Sequence, residues 1–221
     1  MPAARGGGGD GRRLAPKRGR SASSTRWLAR QLADPYVRRA QAEGYRARAA
    51  YKLIELDQRF GLLDGTRRIV DLGAAPGSWS QVVRARRPEV RLVGIDLLPV
   101  DPLPGALFLR MDVLDRATPG AVAEALGGPA CLVLSDMAAN TVGHAPTDHL
   151  RTLALVEAAA AFAAEILRPG GSFVAKVLAG GTEAALLAEL KRQFASVRHA
   201  KPPASRKDSR ETYLVAQGFR G

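Results

Sequence analysis

A chain of 221 residues, 46% of them hydrophobic, can bury a sizeable core and suits one α/β domain. Its single cysteine, Cys131, excludes a disulfide within the chain and makes a reducing compartment, the cytoplasm, the expected setting. The net charge of +12 is concentrated: residues 1–52 carry 13 Lys/Arg against Asp10, Asp34 and Glu43, whereas the rest is nearly neutral. Such asymmetry points to a polyanionic partner, nucleic acid or an anionic membrane surface.

Residues 1–25 are rich in Gly, Arg, Ser and Pro and nearly devoid of large apolar side chains, so they are expected to be a disordered basic arm. The run Gly6–Gly9 argues against an amphipathic transit peptide, and no secretory hydrophobic region is expected. Residues 26–221 then read as a single domain that opens with basic helices over 26–60. Trp27–Leu32 begins a helical pattern that Pro35 interrupts. A second helix is expected through Arg46, Arg48 and Lys52, with Arg48 and Lys52 on one face.

From Arg68 onward apolar strands and helices alternate, the pattern of βαβ units. Strands are expected at 68–72, 91–96, about 107–110, 130–135, 172–178, about 196–199 and 212–217. Helices are expected at 78–86, 119–126, about 148–167 and 183–193. Thr118-Pro119 reads as an N-cap followed by proline, with Gly127-Gly128 closing that helix. Arg168-Pro169-Gly170-Gly171 stops the longest helix before the fifth strand. Leu186, Leu190 and Phe194 give the next helix its core stripe. The longest apolar stretch, Leu153 to Leu167, is interrupted by Glu157 and Glu165 and is too short to span a bilayer. His144, His149 and His199 have no Cys/His partners at ligand spacing, so no metal is expected.

Runs such as Ile69-Val70-Asp71-Leu72, Leu92-Val93-Gly94-Ile95-Asp96 and Leu132-Val133-Leu134-Ser135-Asp136 are apolar enough to be buried on both faces, as in a parallel sheet covered by helices. Each ends on or near a carboxylate, and ligands of such sheets sit outside the carboxyl ends of the strands. The small residues of the turn Asp71–Gly77 let backbone approach a ligand closely. Asp96 is placed to accept hydrogen bonds from ribose hydroxyls, and Asp112, after the third strand, from an adenine amino group. Lys176 lies inside the apolar strand Phe173–Leu178. Buried lysines are rare unless paired, and desolvation makes an ammonium give up its proton more readily, as a proton acceptor requires. Glu211, just before the last strand, reads by itself as a surface charge.

Ser21–Leu28, Asp71–Gly77 with Trp79, Asp96-Leu97-Leu98-Pro99, Ser135-Asp136-Met137-Ala138 and Ser209-Arg210-Glu211 together resemble the FtsJ/RrmJ-like RNA ribose 2'-O-methyltransferases, most closely the bacterial members acting on large-subunit rRNA. The resemblance covers about residues 21–218. It implies a Rossmann-like class I methyltransferase, with a mostly parallel seven-stranded sheet and helices on both faces. It implies S-adenosylmethionine as cofactor, with contacts from Gly77, Trp79, Asp96, Asp112 and Asp136. The family's Lys-Asp-Lys-Glu tetrad falls on Lys52, Asp136, Lys176 and Glu211. Lys176 would act on the hydroxyl, Asp136 would hold it, and Lys52 and Glu211 would orient the nucleotide. The implied substrate is a uridine of 23S rRNA in the large ribosomal subunit, met by a monomer without membrane or metal. Methylation of tRNA or mitochondrial rRNA, and a non-enzymatic RNA-binding assembly factor, are the alternatives. Two departures are visible: Ser78 replaces a second glycine, and Ala139 replaces a proline after Met137-Ala138.

The arm makes a quantitative expectation. Residues 1–25 hold Arg5, Arg12, Arg13, Lys17, Arg18 and Arg20. If about half touch phosphate, deleting the arm lowers the slope of log RNA affinity against log salt by roughly two, at about 0.7 per contact. Filter binding across a salt series reads this. An unchanged slope would make the arm a spectator.

Overall fold

A computed structural model describes residues 34–139, 145–178 and 184–221; the expected arm and the Trp27–Leu32 pattern lie outside the described residues. In chain order the elements are α1 (Pro35–Glu43), α2 (Ala50–Phe60), β1 (Arg68–Leu72), α3 (Ser78–Arg86), β2 (Arg91–Asp96), β3 (Ala106–Arg110) and α4 (Thr118–Leu126). They continue with β4 (Ala130–Ser135), α5 (Ala145–Ile166), β5 (Leu167–Leu178), α6 (Ala184–Gln193), β6 (Phe194–Ala200) and β7 (Glu211–Phe219). The strands form one sheet in the order β3-β2-β1-β4-β5-β7-β6. All neighbours are parallel except β7, which runs antiparallel to both β5 and β6. The fold is therefore Rossmann-like, with its switch point where β1 leads to β2 on one side and β4 pairs on the other.

Period-two alternation sends neighbouring residues to opposite faces, and both faces are covered. Ile69, Leu92, Leu132 and Leu134 pack with Leu53 and Leu56 of α2 and Trp79, Val82 and Val83 of α3. Val70, Val93, Val133 and Phe173 pack with Val122 and Leu126 of α4 and with Val156, Ala159 and Phe162 of α5.

Several boundaries differ from the sequence reading. Pro35 opens α1 instead of interrupting a helix: Asp34 caps it, accepting the Tyr36 N–H at 3.0 Å, and proline at the first position gives up no intrahelical bond. Arg46 and Arg48 precede α2, which begins only at Ala50, so they lie in the turn that delivers Lys52. Thr118 is the first residue of α4 and not its cap; its hydroxyl donates to the Asp112 carbonyl at 2.6 Å. Arg168–Gly171 lies inside β5, where the register slips between the Ala130–Leu167 and Leu132–Ser172 pairs. Phe194 opens β6 and does not end α6.

The turn after β1 is fixed from three sides. Gly73 and Ala74 donate their N–H groups to the Ile95 carbonyl at 2.9 and 3.0 Å. Gly73 has φ +70°, and a Cβ there would stand 2.6 Å from Met137 Cγ, so only glycine fits. Ser78, the departure noted above, starts α3 buried; no non-glycine residue among those described has positive φ, so its side chain is tolerated. Asp71, 1% exposed, accepts the Ser80 hydroxyl at 2.7 Å, tying the end of β1 to the first turn of α3.

Burial of Asp71, reinforced by the negative charge of Asp136 and opposed by the Ser80 hydrogen bond, pushes its carboxyl up to about 7. Folding therefore takes up a proton between about pH 4 and 7. The resulting stability is fully present below that window and is lost as pH rises through 7. Asp71→Asn keeps an acceptor for Ser80 and cannot ionise. Urea unfolding should show wild type losing roughly 2–3 kcal/mol relative to the variant between pH 5 and 8. Parallel profiles would mean that Asp71 is not protonated on folding.

Candidate active site

The carboxyl ends of β1, β2 and β4 enclose a cleft of about 310 Å³. Gly73 and Ala75 line it from the turn after β1, Asp96, Leu97 and Leu98 from the end of β2, Met111, Asp112 and Val113 after β3, and Asp136, Met137 and Ala138 after β4. Asp96 is held by two backbone donors, Ala75 N–H to Oδ2 at 2.9 Å and Leu98 N–H to Oδ1 at 2.8 Å. Each carboxylate oxygen has a second lone pair, so a pair of adjacent hydroxyls can still be bound. Asp112 spends Oδ1 on Leu114 N–H at 2.9 Å, which leaves Oδ2 for an amino group. Ile95, Met111 and Val113 give the cleft apolar walls suited to a flat ring.

Two residues expected at this cleft are not on its lining. Gly77 is the N-cap of α3, at φ +102°, with its absent Cβ facing Arg46. Trp79 is 2% exposed, donates its indole N–H to the Ala49 carbonyl at 2.8 Å, and packs on the Tyr213 ring at 5.7 Å. It ties the start of α2 to the strand that carries Tyr213.

Lys52, Asp136, Lys176 and Glu211 come from α2, the end of β4, β5 and β7, and the fold brings them together. Lys176 Nζ lies 3.2 Å from Asp136 Oδ1 and donates to the Asp136 carbonyl at 2.7 Å. Lys52 Nζ lies 3.2 Å from Glu211 Oε2 and 3.9 Å from Asp136 Oδ1. Both lysines are buried. The two ammonium groups and two carboxylates thus alternate along a line, each buried charge next to an opposite one.

Lys52 and Glu211 also line a second, more polar groove of about 370 Å³ with Arg48, Arg206, Asp208 and Ser209. Asp136 lines the first cleft and Lys52 and Glu211 the second, while Lys176 lines neither and joins the cluster through Asp136. The cluster is a bridge between two binding spaces. Near Lys176 an incoming hydroxyl would find a hydrogen-bonding partner and a carboxylate able to stabilise any charge that develops.

Tyr213 belongs to this cluster and the sequence reading missed it. It is fully buried and donates to Asp136 Oδ1 at 2.6 Å. Burial and the Asp136 charge push its hydroxyl well above the usual phenol range, so it stays a donor. A signal existed: Glu211 and Tyr213, two apart on one strand, share a face, and β7 pairs Tyr213 with Lys176. The stretch beyond Ala139, where the family proline is replaced, lies largely outside the described residues. Among the described residues no group of His, Cys, Asp and Glu is placed to hold a metal ion, and no helix is long and apolar enough to cross a membrane.

A family model described as FtsJ-like methyltransferase matches residues 45–219. A ribosomal RNA large subunit methyltransferase E of Rhizorhabdus wittichii is 65% identical over 217 residues, covering 98% of this chain and 95% of that protein. The protein of the same description from Novosphingobium aromaticivorans is 62% identical over 209 residues, covering 95% and 94%. Among solved structures, one described as a ribosomal RNA methyltransferase of Plasmodium falciparum aligns with TM-score 0.71 at 32% identity, over 80% of this chain and all of that one.

The charge arrangement makes the two central residues unequal. Asp136→Ala leaves two buried ammonium groups with Glu211 alone, and should cost about 3–5 kcal/mol in urea unfolding. Lys176→Ala leaves Asp136 within reach of Lys52 and Tyr213, and should cost only about 1–2 kcal/mol. Equal losses would contradict the bridging role of Asp136.

Proposed function

The chain belongs to the FtsJ-like methyltransferase family, and on that premise we propose that it methylates a ribose 2'-hydroxyl of large-subunit rRNA, a uridine by family resemblance, with S-adenosylmethionine as methyl donor. The observation that carries this reading is the position of Asp136. It lines the strand-end cleft and pairs with Lys176 at 3.2 Å, so a donor in the cleft and a hydroxyl at Lys176 meet at one residue.

The cleft suits the donor. Asp96 would take the ribose hydroxyls, Asp112 the adenine amino group, and the apolar walls the ring. When bound, S-adenosylmethionine supplies an already activated methyl group. The protein's task is alignment and removal of one proton. Lys176 hydrogen-bonds the 2'-hydroxyl; its amine, once it has given a proton to solvent, takes the hydroxyl proton as the oxygen is methylated. Asp136, itself held by the Tyr213 hydroxyl, keeps Lys176 in place and offsets the charge change. Lys52 and Glu211, facing the second groove, orient the nucleotide, and Arg48 and Arg206 in the same groove attract its phosphates. The names of the relatives support ribosomal RNA as the substrate, and the concentrated positive charge of residues 1–52 supports a nucleic acid. We place the protein in the cytoplasm, working as a monomer.

Two measurements test the reading. Calorimetry without RNA should show S-adenosylmethionine binding to wild type and at least tenfold weaker binding to Asp96→Ala. Ribose-methylation mapping of large-subunit rRNA incubated with the protein and donor should show one new modified position. Lys176→Ala should abolish it while keeping donor affinity within about twofold of wild type. A Lys176→Ala variant retaining most of its single-turnover rate would reduce the lysine to a structural role.

A further inference from the structure

Arg46 is one of the cations of the basic N-terminal segment, where a phosphate contact would be the ordinary assumption. Its guanidinium is already committed elsewhere, and among the described residues to no carboxylate. Nη1 donates to the Pro76 carbonyl at 3.0 Å and to the Asp101 carbonyl at 2.8 Å, and Nη2 donates to the Pro102 carbonyl at 2.8 Å. Pro76 follows Ala75, which lines the strand-end cleft from the turn after β1; Asp101 and Pro102 lie midway along the β2–β3 connection, whose first residues, Leu97 and Leu98, also line the cleft. The backbone beside Arg46 is anchored as well. Arg46 N–H donates to Gln81 Oε1 at 2.7 Å, and Gln81 Nε2 donates to the Gly44 carbonyl at 3.0 Å. The guanidinium needs Gly77: a Cβ at that position would stand 2.5 Å from Arg46 Nη1.

We propose that Arg46 is a positioning residue for the methyl-donor site, a clamp that fixes the distance between the two loops walling the cleft. The physical reason lies in the side chain. A guanidinium offers five donors in a rigid planar fork and can satisfy three carbonyls on two loops at once. A lysine ammonium is a compact point donor without that fork. Neutral carbonyls as its sole side-chain partners among the described residues mean that the cation organises backbone and does not balance a charge there. Without it, both loops lose their shared anchor and the cleft must be ordered by the ligand, which weakens binding. The turn that places Arg46 also leads through Arg48 to Lys52, so the donor cleft and the catalytic cluster are positioned by one stretch of chain.

This inference rests on the reading of the cleft as a donor site, and the experiment separates the two. Calorimetry with S-adenosylmethionine alone is run on wild type, Arg46→Ala, Arg46→Lys and the control Arg39→Ala, whose exposed side chain pairs with Glu43. Amide hydrogen exchange of residues 73–77 and 97–105 is followed in the same proteins without ligand. The expected result is about tenfold or greater loss of donor affinity in both Arg46 variants, with a raised KM for donor and kcat at saturating donor within about threefold. Exchange in both loops should accelerate, and Arg39→Ala should match wild type in both readouts. If Arg46→Ala does not fold, Arg46→Lys decides, since it keeps the charge and loses the fork. Unchanged donor affinity and exchange in the Arg46 variants, with only the KM for RNA raised, would overturn the clamp and make Arg46 an RNA contact. A wild type that binds no donor while the Arg46 variants still exchange faster would overturn the donor reading but not the clamp.

Discussion

Asp136 sits where the two halves of the site meet, and its carboxylate is the constraint on which the rest depends. Its Oδ1 takes the Tyr213 hydroxyl at 2.6 Å, with Lys176 at 3.2 Å and Lys52 at 3.9 Å. Two ammonium groups can be buried so close together only because a carboxylate stands between them. The same residue lines the strand-end cleft. The strand-end cleft and the charge cluster are therefore coupled through one side chain, and a change there disturbs both together.

Sheet topology supplies the geometry. A purely parallel sheet would bring no strand back beside β5 in the opposite sense. Here β7 inserts antiparallel between β5 and β6, and the register sets Tyr213 opposite Lys176 and Glu211 opposite Leu178. Strand alternation then places Glu211 and Tyr213 on one face with Lys176. Helix α2 adds Lys52 from outside the sheet, and Trp79, hydrogen-bonded to the Ala49 carbonyl and packed on Tyr213, fixes the helix relative to the strand.

A second set of contacts joins the residues at the start of α1 to the connection between β6 and β7. Asp34, buried, lies 3.0 Å from Arg48 Nε and 3.3 Å from Arg206 Nη2. Arg48 donates to the Ala204 carbonyl at 2.7 Å, and Glu55 accepts the Ala204 N–H at 2.6 Å. One carboxylate thus holds two cations at the edge of the polar groove. Their charges are partly balanced by Asp34 yet remain beside Lys52 and Glu211.

The sequence by itself determined the order of strands and helices from Arg68 onward, because apolar runs of that length with carboxylates at their ends suit a sheet buried on both faces. It also singled out Lys176 as anomalous and, through family resemblance, the four residues of the charge cluster. Element edges were less legible: Pro35 reads equally as a breaker or a first helical residue, and only the Asp34 cap decides. Tertiary structure alone decided the rest. That Trp79 packs on Tyr213 and donates to the Ala49 carbonyl depends on how α3 packs, which local spacing does not encode. Arg46 looks like any other cation in a basic segment until the fold brings Pro76, Asp101 and Pro102 around it. Contacts between residues 30 to 160 positions apart depend on chain path, and a single sequence records residue types without the path that joins them.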